Sequence, residues 1–298
     1  MSRNPAQSFH DLLPRLERLL DRVERILEPH DQGKTDGPVF DDTIAFRWHK
    51  KNGYGNLVSI PHPDLTDLED LIGLDREIEI ISRNTEQFVK SAPANNVLIW
   101  GDRGTGKSSV VKGFLTRFAH EGLRMIEVKK LDLEDLPEIV DLLWGRPERF
   151  ILFCDDLSFD EDESIYRELK AILEGGLTAR PDNVLIYATS NRRHLMPDLH
   201  ADNTPRFSPD DDEIHPQETV EEKISLSDRF GLSIGFYRIN QETYFCIVDY
   251  LIAKRGLDID PSLARQEALK WLQHASGRSG RVARQFVDDL AGRMSLES

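Results

Sequence analysis

The hydrophobic residues of the chain recur in two rhythms. Short runs that are apolar with little interruption lie at Val97–Trp100, Met125–Val128, Phe150–Cys154, Val184–Ala188 and Leu232–Phe236. Runs of this length, bounded by polar residues or glycine, read as strands buried on both faces. Between them the spacing changes to three- and four-residue steps, which predicts helices over Asp75–Lys90, Val110–Ala119, Leu133–Leu143 and Ser164–Leu173. Strands alternating with helices imply a parallel sheet covered on both sides, so the expected fold class is α/β. Ligands of such sheets collect at the carboxyl ends of the strands. After the fifth strand the pattern is helical only, over Gln241–Lys254, Pro261–Ala275 and Arg281–Met294. A small all-helical module is expected there.

Upstream the pattern is less regular. Leu12, Leu13, Leu16, Leu19, Leu20, Val23, Ile26 and Leu27 predict a helix over Asp11–Glu28, capped by Asp11. The turn formers of Pro29–Pro38 follow as a linker. Val39–His62 stays open between short strands and an arm anchored by Phe46, Trp48 and Tyr54. The expected division is therefore an N-terminal helix, linker and arm over 1–64, an α/β domain over 65–237, and a helical lid over 238–298. Within the α/β domain, Pro197–Glu222 turns polar and acidic, with Asp210, Asp211, Asp212 and Glu213 in a row, as a solvated loop does.

Composition narrows the class. With 38 basic and 53 acidic residues the formal charge is −15, which opposes broad non-specific contact with nucleic acid and leaves only a local basic groove open. The two cysteines, Cys154 and Cys246, lack the spacing of a metal site or disulfide framework, which fits a reducing cytoplasm. No run approaches the roughly 20 apolar residues that cross a bilayer. A cytoplasmic protein without a membrane partner is expected.

The chemistry concentrates at the tip of the first of these runs. Gly101, Gly104, Gly106, Lys107 and Ser108 satisfy G-x-x-x-x-G-K-[ST], with Asp102, Arg103, Thr105 and Ser109 completing the loop. Glycines allow consecutive backbone N–H groups to curl around a phosphate, and a helix starting near Lys107 aims its positive end at the same point. Lys107 would bridge the outer phosphates of a nucleoside triphosphate and Ser108 would ligate magnesium. The run ending at Cys154 delivers Asp155 and Asp156, which suit a magnesium-holding acid and a base for the attacking water; the competing reading is a polar turn. Asn191, at the tip of the fourth run, is placed to touch both the γ-phosphate and that water. Arg229, just before the fifth run, is either a surface ion-pair residue or an arginine finger acting on a neighbouring subunit. Arg278, Arg281 and Arg284, at three-residue steps, form either a basic surface patch or a lid contact to the phosphates, with Arg281 the first choice. Arg192, Arg193 and His194 form a short basic cluster, most simply a solvated turn.

Taken in order, these motifs resemble those of the AAA+ ATPases. GDRGTGKS resembles the Walker A motif, ILFCDD Walker B, ATSN the first sensor, SDRF the arginine-finger region and SGRSGR the second sensor. The segment Asp70-Leu71-Ile72-Gly73 is similar to the stretch that lines the family's adenine pocket, which points to Ile72 and Gly73 as nucleotide contacts. Phrases such as FCDDLSF, YATSNRRHLMP and EKISLSDRFGL more closely resemble a bacterial AAA+ family catalogued as domain of unknown function 815. The resemblance implies a phosphate-loop α/β domain with a five-stranded parallel sheet, a C-terminal helical lid, ATP with Mg2+, and a homo-oligomeric ring or spiral. That assembly would hydrolyse ATP to remodel or load a protein or nucleic-acid client. Where many relatives carry Asp-Glu this chain carries Asp155-Asp156, one methylene shorter. The alternative expectation is a nucleotide-gated binding switch with slow hydrolysis.

Overall fold

Strands form at Ala45–Lys51 (β1), Tyr54–Ser59 (β2), Val97–Gly101 (β3), Leu123–Glu127 (β4), Arg149–Cys154 (β5), Val184–Ser190 (β6) and Leu232–Phe236 (β7). Helices form at Asp75–Val89 (α1), Lys107–Phe118 (α2), Leu136–Leu143 (α3), Gln241–Arg255 (α4), Pro261–Leu272 (α5) and Gly280–Glu297 (α6). The structure, a computed structural model, describes residues 40–51, 53–159, 169–170, 173, 181–193, 195, 226–275 and 277–297, all within the unit Phe40–Ser298. The helix expected over Asp11–Glu28, the linker after it, the acidic stretch 197–222 and most of Ser164–Leu173 lie outside the described residues.

Among the described residues the strands make one sheet in the order β2-β1-β4-β5-β6-β3-β7. All neighbours pair in parallel except β1 with β2. The five runs read from the sequence are β4, β5, β6, β3 and β7, so the α/β class and the parallel core stand as expected. Burial on both faces explains their uninterrupted apolar character. Leu98, Ile126, Leu152 and Ile186 pack on one side with Leu136, Ile139 and Leu143 of α3. Val97, Ile99, Ile151 and Leu185 pack on the other with Ile81 and Phe88 of α1 and with Val110 and Phe114 of α2.

Polar residues at the start of β3 fix its neighbours. Asn96 Oδ1 accepts from Ile186 N of β6 at 2.9 Å. Asn84 of α1 receives Asn95 N and donates to Asn95 O, both at 2.9 Å. Its amide also donates to the Tyr187 hydroxyl at 3.1 Å, inside the core. The strand that carries the glycine-rich loop is thereby tied to its sheet neighbour and to a covering helix.

The segment left open by the pattern, Val39–His62, contributes the hairpin β1–β2, so the sheet is wider than the expected five strands. Phe46 and Trp48 are fully buried while Arg47 and His49 face solvent, the alternation of a strand with one covered face. Trp48 Nε1 donates to Asp135 Oδ2 at 3.0 Å, and Lys50 Nζ pairs with Asp135 Oδ1 at 2.5 Å. The expected helix over Leu133–Leu143 starts as a 3-10 segment, Lys130–Asp135, and becomes α-helical at Leu136. Pro137 sits at the start of α3, where its missing N–H removes nothing. Strand β6 runs two residues past its expected end, through Thr189 and Ser190.

Helices α4, α5 and α6 enclose a separate apolar cluster built on Tyr244, Val248, Phe286 and Val287, against which Ile72 also packs. Asn240 caps α4 by accepting from Thr243 N, and Asp260 caps α5 by accepting from Ser262 N and Leu263 N.

Burial disfavours the Asp135 carboxylate, but Lys50 and Trp48 outweigh it and hold its pKa below the ordinary value. A depressed folded pKa gives stability that is present above the unfolded value of about 3.9 and is lost as pH falls through the folded one. Asp135→Ala is expected to cost about 1–3 kcal/mol at neutral pH, because the Trp48 N–H is left buried without its acceptor. Urea melts of both proteins should show the gap narrowing below about pH 4; a gap that is constant with pH removes the ionic share.

Candidate active site

The register of three adjacent strands assembles the site. β5 pairs Cys154 with Ala188 of β6, and β6 pairs Thr189 and Ser190 with Ile99 and Trp100 of β3. One residue further on, Asp155, Asn191 and Gly101 leave the same edge of the sheet. The glycine-rich loop, the two acids and the candidate sensor, far apart in sequence, therefore meet at the carboxyl end of the sheet.

Gly101 turns the chain with a φ of 138°, a region open to glycine, and a Cβ there would sit 1.9 Å from Phe236 O. The turn presents two carbonyls inward. Lys107, in the first turn of α2, donates to Gly101 O and Asp102 O at 2.8 Å and to Asn191 Oδ1 at 3.0 Å. Burial pushes its pKa down, the charges of Asp156, Asp155 and Asp102 push it up, and nearby Arg281 pushes it down again; the net effect is downward. Ser108 Oγ donates to Asp155 Oδ1 at 2.6 Å.

Thr189 organises the acids. Its hydroxyl donates to Asp155 Oδ1 at 2.5 Å and accepts from Asp156 N at 2.9 Å. Asp156 takes a left-handed backbone, φ 51°, and its carboxylate accepts from Asn191 Nδ2. Asn191 thus bridges Lys107 and Asp156. Cys154, next to the acids, is fully buried, and that burial with the charge of Asp155 pushes its thiol up to about 12, so it is no nucleophile.

A cleft of about 530 Å³ opens over these groups. Its polar end holds Lys107, Ser108, Asp155, Asp156 and Asn191, with Arg281 and Arg284 of α6 on the facing side. Its apolar walls come from two segments of the chain, Leu71, Ile72 and Leu74 before α1 and Ile239, Ile247 and Leu251 at and within α4, which together line an apolar slot. Arg103, Gly104, Thr105, Gly106 and Ser109 line the floor. The loop approaches the turn before α6 at Gly104, where a Cβ would stand 2.9 Å from Ser279 Oγ. Gly73 and Asp102 lie beside the cleft rather than among its lining residues; Asp102 turns its carboxylate to Arg238 Nε at 3.0 Å. Arg278 bonds Gln241 at 3.3 Å, and Arg229 stands in the turn before β7, outside the cleft lining. Of the basic cluster, Arg193 lies over the Trp100 ring at 5.2 Å, and His194 falls outside the described residues.

Sequence reasoning missed Thr189, which lies one residue past the expected end of its strand, and the slot residues Ile239, Ile247 and Leu251; Arg284, named with Arg278 and Arg281, lines the cleft as Arg281 does. Only the four-residue step between Ile247 and Leu251 was a signal in the sequence, and it served equally well for a core helix.

A family model described as protein of unknown function (DUF815) matches residues 41–294. The chain belongs to the DUF815 family. None of the curated proteins matches it. Among solved structures, the DUF815 chain is similar to RuvB of Thermotoga maritima, described as a Holliday junction branch migration motor. The TM-score is 0.45 and the identity 13%, over 76% of this chain and 72% of that one. A point variant of the same protein gives a TM-score of 0.46 and 14% identity over the same shares. In this DUF815 chain the parallel strands β3 to β7 lie side by side in one sheet and are followed by the C-terminal helices.

The donor set suits a phosphate chain with a hard cation. The ammonium of a buried lysine, a helix N-terminus and glycines without room for a Cβ fit a phosphate. One hydroxyl and one carboxylate, both oxygen donors, fit magnesium, which keeps several waters of its own. Among the described residues no cluster of three His, Cys, Asp or Glu side chains offers a different metal site.

The close approach at Gly101 has a measurable cost. Gly122 has a φ of 93° and open space where a Cβ would go, so Gly122→Ala is expected to lose about 1–2 kcal/mol from the left-handed backbone alone. Gly101→Ala must also move Phe236 and should lose more. Equal urea midpoints for the two variants would contradict the geometry.

Proposed function

We propose that the chain binds ATP with magnesium in this cleft and hydrolyses it as an AAA+ ATPase within a homo-oligomer. The observation that carries the reading is the bridge of Asn191 between Lys107 and Asp156, with Ser108 bonded to Asp155 beside it. Loop N–H groups and Lys107 bind the phosphates, the ammonium exchanging its two carbonyl partners for phosphate oxygens. Ser108 and Asp155 hold magnesium, with Thr189 fixing the carboxylate that does so. Magnesium neutralises charge on the outer phosphates. Asp156 accepts the proton of the attacking water through its carboxylate, and Asn191 orients that water. The slot between Ile72 and Leu251 takes the base. Arg281 reaches the phosphates from the lid, and Arg229 completes the site of the adjacent subunit.

A protein or nucleic-acid client is remodelled or loaded by the resulting motion, and a formal charge of −15 favours specific over diffuse contact with any polyanion. Among the described residues no helix is long and apolar enough to cross a membrane, and Cys154 and Cys246 are free thiols, which supports a cytoplasmic setting. One observation favours the second reading, a nucleotide-gated switch: the Asp156 carboxylate already accepts from Asn191, and it is one methylene shorter than the glutamate of many relatives. Slow turnover follows from either.

Purified chain should hydrolyse ATP slowly in the presence of magnesium. Asp156→Asn should retain ATP binding and lose steady-state turnover by about a hundredfold or more, the range for a general base. Full turnover in that variant removes Asp156 as the base, and a chain that binds no adenine nucleotide removes the whole reading. Mixing Asp156→Asn with Arg229→Ala tests the shared site. Each alone should be inactive, and the mixture should recover activity because an intact Arg229 then faces an intact Asp156 across some interfaces. No recovery assigns Arg229 to its own subunit or to structure.

A further inference from the structure

Asp70 stands where the two walls of the apolar slot are tied together. It ends the 3-10 turn Leu68–Asp70, two residues before Ile72, and lines the cleft. Its partners come from α4. The Tyr250 hydroxyl donates to Oδ1, and the Lys254 ammonium reaches both oxygens, 2.5 Å from Oδ2. Ile247, Tyr250, Leu251 and Lys254 follow one another at three- and four-residue spacing or in adjacent positions, so they share one side of the helix. Ile247 and Leu251 line the slot while Tyr250 and Lys254 grip Asp70. The helix side that forms one wall therefore holds the segment that forms the other.

Arg284 of α6 joins the same group. It lines the cleft and also a smaller adjoining cavity of about 230 Å³, shared with Asp70 and Lys254. Burial works against the Asp70 carboxylate, and Lys254, Tyr250 and Arg284 together outweigh it, holding its pKa below the ordinary value. The acid end of the pair is well covered, with 18% of the side chain exposed against 51% for Lys254. Asp70 is thus positioned to order a helix of the lid from a loop of the core.

We propose that Asp70 is a positioning residue whose clasp on Tyr250 and Lys254 sets the width of the base slot and, through it, the affinity for the nucleotide. A flat ring packed between two apolar faces needs carbon contacts at about 3.5–4.0 Å on each side, and a gap of 0.5–1 Å already forfeits about a quarter to a half of each contact. A clasp that stops the walls from drifting apart by that much is worth affinity without touching the ligand itself. The slot's role as a base site rests on the ATP reading above; the clasp between loop and lid does not.

The test compares Asp70→Ala, Lys254→Ala, the double alanine variant, and the charge-swapped pair Asp70→Lys with Lys254→Glu, all in the full chain. ATP and ADP should each bind about tenfold more weakly to either single variant. The double alanine variant should be no worse than a single one, and the swapped pair, which sets a cation beside Arg284 and loses the acceptor for Tyr250, should recover only part of the loss. In turnover the effect should fall on KM more than on kcat. Tyr250→Phe, which keeps the ion pair, gives a milder variant with an expected loss of about threefold if the alanine variants fold poorly. Hydrogen exchange of α4 amides without nucleotide supplies a readout independent of ATP, and it should accelerate in Asp70→Ala. Unchanged α4 exchange overturns the clasp, as does unchanged affinity for both nucleotides. Failure of the wild-type chain to bind either nucleotide sinks the ATP reading instead, while the exchange result still decides the clasp.

Discussion

A lysine ammonium removed from water must be surrounded by oxygen, and that requirement shapes the cleft around Lys107. Three neutral oxygens meet it, from Gly101, Asp102 and Asn191, while the charges of Asp155 and Asp156 act from further off. Each of those oxygens constrains a different part of the chain. The two carbonyls require the turn that only glycine makes at position 101. The third requires β6 to lie between β3 and β5, so that Asn191 emerges beside the loop. A cation held this way keeps weak partners that an anion can displace.

The parts of the fold that were legible are those where burial leaves no choice of residue. Strands covered on both faces cannot alternate, so β3 to β7 stand out as apolar runs. The hairpin was harder. β1 alternates over only a few residues, and β2, at the sheet edge, buries almost nothing, so its sequence carries little of the period that identifies strands. Gly53, in the left-handed turn between the two strands, is a common turn residue and says little alone.

The site divides in the same way. Residues that act through contiguous backbone, from Gly101 to Ser109, or that follow directly from strand ends, as Asp155, Asp156 and Asn191 do, could be read in order. Thr189 was hidden because its hydroxyl works from within a strand whose expected end lies one residue earlier, at Ala188. The pairing of Asp70 with Lys254 spans 184 residues and leaves no local pattern. The C-terminal helices share apolar packing with the segment before α1, where Ile72 is set against the Tyr244 and Phe286 cluster. Exposed ion pairs such as Arg238 with Asp102 orient rather than stabilise, since pairs in solvent contribute on the order of 0–1 kcal/mol.

The backbone at Asp156 bears on why the second acid is an aspartate. A φ of 51° places this residue in a region where aspartate and asparagine are several-fold enriched because their short polar side chains bond locally, as this carboxylate does with Asn191. A longer acid would have to tolerate the same twist without the compact local bond. The short carboxylate and the twisted peptide therefore belong together, and lengthening the side chain alone would keep the twist while moving the carboxylate away from its bond to Asn191.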